Sequence, residues 1–147
     1  MTAGPWRPVR LEIYESRISD LWAQIDVSED LSLASGKLFA RVNGHSNKVV
    51  FSIRLRGEII SQRETTVATD GVAEVSISLK NPELWYPHGY GAQTLYDITV
   101  DVLNGEFQLD TISKRTGLRR GELVQDDHEI GQSFYFRING IDVFCAG

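Results

Sequence analysis

Asp126-Asp127-His128-Glu129 is the densest run of ionisable side chains in this chain, and carboxylates are the ligands a hard divalent cation takes. Consecutive residues rarely converge on one ion without a dedicated loop, and no EF-hand spacing surrounds them, so the run reads as a solvated loop. Gly131-Gln132-Ser133-Phe134-Tyr135 comes close to a nucleophile elbow. It lacks the glycine after Ser133 that the sharp turn requires, and no helical pattern follows. The single cysteine, Cys145, excludes an internal disulfide and a multi-cysteine zinc site. Within Val143-Phe144-Cys145-Ala146 it reads as a small buried hydrophobe. No catalytic residue, metal site or cofactor is expected.

Asn81 to Tyr96 carries more information. The run holds Trp85, Tyr86, Tyr90 and Tyr96 together with Pro82, Pro87, Gly89 and Gly91, and it leads straight into a strand pattern. A connection this aromatic must plug or touch something. Trp85, Tyr86, His88 and Tyr90 are able to stack on a sugar ring; alternatively they cover an end of the fold or a neighbouring domain. Packing is the preferred reading. Gly89 and Gly91 serve either one, as permissive backbone positions around the bulky Tyr90. Arg115 and Arg119 flank Gly117, and a guanidinium fork suits ties across a domain junction; a solvated surface arginine is the alternative for each.

The elements that position these residues are strands. Apolar residues alternate at Ala23, Ile25 and Val27; at Leu38, Ala40 and Val42; and at Val49, Phe51, Ile53 and Leu55. The period of two returns at Ala73, Val75, Ile77 and Leu79, then at Tyr96, Ile98, Val100 and Val102, and again at Phe107 and Leu109. Asn43-Gly44, Asp70-Gly71, Asn104-Gly105 and Asn139-Gly140 punctuate the runs, dipeptides that tolerate positive φ at both central positions of a hairpin turn. No helical stretch of ten residues is evident. About seven short strands between Leu21 and Ile112 predict an all-β, immunoglobulin-like antiparallel sandwich. The ends differ from the middle. Residues 1–16 are strand-like but carry Pro5 and Pro8, which confine them to an edge or linker. Glu122 to Gly131 is the polar interruption most like a boundary. Phe134, Phe136 and Ile138 face Ile141, Val143 and Cys145 across Asn139-Gly140 as a further hairpin.

Composition bounds the partners. A chain of 147 residues with 41% apolar and 24% charged residues is one globular domain, with or without pieces of its neighbours. The net charge of −5 disfavours nucleic acid and anionic membranes, both of which need clustered cations. No apolar run approaches the roughly 20 residues that cross a bilayer, and no signal peptide pattern opens the chain. Localisation stays open.

Three segments carry a family resemblance. Asn81 to Tyr96 is similar to the P-x-L-W-x-P-x-G-x-G-x-Q-x-L-Y segment of glycoside hydrolase family 2, in its β-mannosidase-like branch, although Tyr86 and His88 stand where Trp and Asn are common. Gly4-Pro5-Trp6-Arg7-Pro8-Val9-Arg10-Leu11-Glu12 resembles the strand closing that family's first domain. Arg115-Thr116-Gly117-Leu118-Arg119 and Gly131 to Gly140 resemble its R-x-G-x-R and G-x-x-F-x-F-x-x-N-G passage into the catalytic barrel.

The resemblance implies residues 1–16 as the end of a preceding domain, 17–120 as the sandwich, and 121–147 as a lead-in hairpin to a barrel. Retaining hydrolysis of terminal β-mannosides would use two carboxylates about 5 Å apart, which the family carries on barrel strands beyond Gly147. The chain alone is therefore expected to be inactive. Its implied work is accessory: to position a sugar-binding-like domain and the barrel around the cleft, carbohydrate being a partner only of the whole enzyme. Trp6, Trp85, Tyr86, Gly89, Tyr90, Gly91, Tyr96, Arg115, Gly117 and Arg119 are its structural or interface candidates. A β-galactosidase-like or β-glucuronidase-like member of the family is one alternative. A free-standing carbohydrate- or protein-binding sandwich is the other.

Overall fold

The computed structural model describes residue 4 and residues 8–44 and 48–144. The expectations for Trp6 and Cys145, and for the His128 side chain, lie outside the described residues. Every regular element described is a strand: β1 (Ser16–Val27), β2 (Leu33–Gly44), β3 (Lys48–Leu55), β4 (Glu58–Thr65), β5 (Val72–Lys80), β6 (Tyr96–Asn104), β7 (Phe107–Thr116), β8 (Gly121–Val124), β9 (Asp127–His128), β10 (Gly131–Gln132), β11 (Tyr135–Ile138) and β12 (Ile141–Val143).

β1-β2-β5 form one antiparallel sheet and β4-β3-β6-β7 another, so seven strands make the expected immunoglobulin-like sandwich. Alternating side chains from each inner face meet in one core that includes Leu21, Leu38, Ala40, Val49, Phe51, Ile53, Val75, Ile77, Ile98, Val100 and Val102. Tyr96, 2% exposed, begins β6 and its hydroxyl accepts a 2.8 Å hydrogen bond from the Glu83 amide. The bond ties the start of the Trp85 loop to the first residue of β6. Burial raises the Tyr96 phenol above its ordinary value, because a phenolate would be desolvated there.

Several expectations need correcting. β4 is absent from the apolar pattern, because adjacent Ile59 and Ile60 break the alternation and both are exposed on an edge strand. Its hairpin turn is Arg56-Gly57, with φ of 51° and 88°. Of the four dipeptides singled out, only Asn139-Gly140 has positive φ at both residues, 51° and 78°. Val50 and Ser52, on the face of β3 opposite the core, are also buried, because β3 is central and Gln62 reaches across to the Ser52 hydroxyl. Ala23, at an inward position of β1, is exposed at the margin of the sandwich.

β7 differs most. The ladder slips between Val102 and Leu103, which sets Asp110, Ile112, Lys114 and Thr116 opposite Val102, Val100, Ile98 and Tyr96. The inward phase therefore carries two charges, while Phe107 is exposed. Those charges stitch the open side of the sandwich. β1 has its own slip between Ile18 and Asp20. There the Ile18 amide donates to Asp110 Oδ2 at 2.7 Å, and Lys114 Nζ reaches Asp20 Oδ1 at 2.8 Å and the Leu21 carbonyl. Inward charges and bulges are the usual guards against strand addition at an edge.

Residues 8–14 form no strand; the edge-strand half of the expectation for 1–16 fails over them, and Ser16 already begins β1. The supposed boundary at 122–131 is partly strand. β8 pairs with β11, setting Leu123 opposite Phe136 and Glu122 opposite Arg137, and β12-β11-β8 form a separate three-stranded sheet. Hydrogen bonding to a following strand rescues a segment too polar and too short to declare itself.

Candidate functional site

The Trp85 loop closes the end of the sandwich. Its backbone is pinned twice, by the Trp85 amide donating to the Leu118 carbonyl and the Tyr86 amide to the Ala92 carbonyl, both at 2.8 Å. Trp85 lies half-buried against Gly117, where an added Cβ would stand 2.6 Å from the Trp85 Cβ and Cγ. Only glycine admits this contact. Tyr86 uses Gly91 in the same way, at 2.8 Å. The Arg119 guanidinium sits 5.0 Å from the Trp85 ring centroid, a cation–π stack. Gly117 and Arg119 both lie against the half-buried ring. His88 and Tyr90, at the loop tip, stay exposed.

Trp85, Gly117 and Arg119 thus come together, with Tyr86 and Gly91 packed on each other in the same loop. Arg115 does not join them. It extends along the outer face to Asp97 at 3.1 Å, with both side chains well exposed, and pairs of that kind contribute little. Gly89 takes φ of 86° with open space around it, so it serves the turn.

The residue that organises this region is Asn139, which sequence reasoning treated only as a hairpin turn. It is 5% exposed. Its Nδ2 donates to the Trp85 carbonyl at 3.0 Å, its Oδ1 accepts from the Arg120 amide at 2.8 Å, and its own amide donates to the Arg120 carbonyl at 2.8 Å. Asparagine tolerates left-handed φ and carries both donor and acceptor, so one residue makes the turn and the ties. The dipeptide itself was the only signal. Arg120 was also missed. It spans from the Val27 carbonyl, 3.4 Å away, to Glu122 at 2.9 Å, joining the end of β1 to β8. That carboxylate raises the guanidinium further above its ordinary value.

β11 and β12 present a different surface. Phe134, Tyr135, Phe136, Val143 and Phe144 line an apolar groove of about 320 Å³, with Phe134 67% and Phe144 84% exposed. Phe134 and Phe136 pack edge to face, centroids 6.3 Å apart. At its far side the Phe144 amide donates to the Tyr90 hydroxyl at 3.3 Å.

The polar cluster does other work. Asp126, Asp127 and Glu129 are exposed, and among the described residues no three His, Cys, Asp or Glu side chains gather to hold a metal. Ser133 closes the β9–β10 hairpin, accepting from the Asp126 amide at 2.8 Å, and β11 follows it where an elbow would need a helix. Carboxylates elsewhere are engaged by cations, among them Asp20, Glu74, Glu83, Asp97 and Glu122. Lys114 holds Asp20 below its ordinary value, and the Ser28 and Ser32 hydroxyls bring Asp30 down to about 2. A general acid needs the opposite shift.

The sequence model of Glycosyl hydrolases family 2 matches residues 16–119. β-Mannosidase B of Aspergillus clavatus is 42% identical over 150 residues, covering all of this chain and 18% of the relative. That of Thermothelomyces thermophilus is 46% identical with the same coverage. The chain therefore spans about a fifth of the length of the curated relatives it matches. Among solved structures, the β-D-mannosidase of Dictyoglomus thermophilum superposes with a TM-score of 0.73 at 29% identity, over 90% of this chain and 17% of that one. A β-glucuronidase of Parabacteroides merdae gives 0.70 at 17% identity, over 88% and 16%, a likeness of fold alone.

Proposed function

We propose, from the premise that this chain belongs to glycosyl hydrolase family 2, that it is the non-catalytic accessory sandwich of a β-mannosidase-like enzyme. The enzyme's reaction would be retaining hydrolysis of terminal β-mannosides. The sandwich would hold neighbouring domains around the cleft rather than touch the scissile bond. Residues 17–120 are the accessory body, 121–147 lead toward a catalytic barrel, and 1–16 lead from a preceding domain.

The observation that carries this reading is the aromatic face of β11 and β12. Side chains as apolar as Phe134 and Phe144 are exposed together on one groove, and contiguous apolar patches of this kind mark interaction surfaces. Val9, Leu11 and Ile13 are likewise exposed on the segment before β1. The half-buried Trp85, stacked under Arg119 and against Gly117, and the cation-engaged carboxylates support a structural role over sugar binding or catalysis. Identities above 40% with β-mannosidase B favour the mannosidase-like branch over the galactosidase- and glucuronidase-like ones.

The test is direct. Purified chain assayed on an aryl β-mannoside is expected to show no turnover. Turnover that persists through purification and disappears when one carboxylate within residues 1–147 is replaced would overturn the proposal.

A further inference from the structure

The hairpin of β11 and β12 is tied to the Trp85 loop at both of its ends. At the turn, Asn139 Nδ2 donates to the Trp85 carbonyl; at the open end, the Phe144 amide donates to the Tyr90 hydroxyl. One loop thus runs the length of the hairpin like a splint. The loop is itself fastened to the sandwich, through the Trp85 amide to Leu118 and through Gly117 beneath the indole. A third tie, from Arg120 to Val27 and Glu122, holds β8 at the opposite side of the small sheet. Three separated attachments fix a plane.

We infer that Asn139 and Tyr90 are positioning residues that lock the β8-β11-β12 sheet to the sandwich at one angle, so that its aromatic face is presented as part of a single rigid body. This rests on the proposed reading of that face as an interface with a neighbouring domain, and it adds how the interface is aimed. Chemistry favours an amide here. The Asn139 side chain is buried and bonded through both its oxygen and its nitrogen, so leaving either backbone partner unpaired carries a desolvation penalty. The φ of 51° favours asparagine, aspartate or glycine, and of these only asparagine supplies the donor to Trp85.

The angle is measurable on the 147-residue chain without sugar or any neighbouring domain, which separates this test from that of the accessory role. In a Cys145→Ser background, spin labels at the exposed Gln108 on β7 and Gln125 after β8 report the distance between sandwich and small sheet. A single narrow distance is expected for the unsubstituted Asn139. Asn139→Gly keeps the backbone geometry and removes the amide, and is expected to lose the narrow peak while β3 and β6 retain their hydrogen-exchange protection. Asn139→Asp keeps the acceptor but sets a carboxylate oxygen against the Trp85 carbonyl, and is expected to lose the narrow peak as well. If Asn139→Gly instead melts the small sheet, Tyr90→Phe provides the second reading, since it deletes one hydroxyl on the loop tip and should still broaden the distribution. A peak that stays narrow in both Asn139→Gly and Tyr90→Phe overturns the inference.

Discussion

The sandwich and the small β8-β11-β12 sheet are built from the same alternation of apolar and polar residues, yet different forces hold them. In β3 and β6 the alternating side chains meet a second sheet, and Phe51, Val100 and Val102 are almost wholly buried. In β11 and β12 the alternation produces Phe136, 44% exposed, beside Phe134 and Phe144, with no opposing layer among the described residues. A period of two makes a face; only a second layer makes a core. The small sheet is attached instead by the hydrogen bonds that Asn139 and Arg120 make and the one that the Tyr90 hydroxyl accepts from Phe144, each of which contributes about 1 kcal/mol. Burial should dominate one region and a few polar ties the other.

The largest effect that sharpens the comparison is a matched pair of truncations. Phe51→Ala is expected to cost about 4 kcal/mol of unfolding free energy, as for a fully buried aromatic. Phe136→Ala should cost under about 1 kcal/mol, as at an exposed site. Urea titration of both variants reads this, and equal losses would erase the distinction. Next comes the joint itself. Gly117→Ala forces a methyl into the Trp85 side chain and is expected to cost about 2 kcal/mol by overpacking, with Trp85 fluorescence shifting toward that of solvent-exposed indole.

How much of this was legible depended on where the physics is local. Six of the seven sandwich strands could be read from their own alternation, because alternation and turn dipeptides act over a few residues. β4 escaped because edge strands need not alternate, and the inward phase of β7 escaped because the bulge at Val102/Leu103 flips it, a pairing event with no signature in the chain. The aromatic crowding of its loop singled out Trp85, which lies half-buried against Gly117. Asn139 as its partner was not singled out. Fifty-four residues separate them, and nothing in an Asn-Gly turn announces what the amide will reach.

A smaller effect probes the seam. Asp110→Ala strands the buried Ile18 amide that donates to it, and about 2 kcal/mol should be lost by denaturant titration; Asp110→Asn, which retains an acceptor, should recover part of it. The smallest is a pH effect confined to the sandwich. Asp30 in the folded chain sits at about 2, below the ordinary 3.8, because the Ser28 and Ser32 hydroxyls and the Ser32 amide bind its ionised form. A folded-state value below the unfolded one contributes stability that is present above about pH 4 and disappears as the pH falls toward 2. Asp30→Asn is therefore expected to flatten the stability profile across that window, losing stability near neutrality and converging on the unsubstituted chain near pH 2, seen in denaturation midpoints between pH 2 and 6.

Native-state hydrogen exchange resolved by residue tests the contrast most directly. Amides of Val100 and Phe51 are expected to exchange only through global unfolding, so that their opening free energy equals the stability from denaturant titration. Amides of β8 and β11, such as Glu122 and Arg137, which face each other across the ladder, should open at a distinctly lower free energy, as one cooperative unit, and Asn139→Gly should lower that value further without altering the Val100 value. Identical opening free energies for Val100 and Arg137, falling together in the variant, would contradict a sandwich held by burial and a small sheet held by its ties.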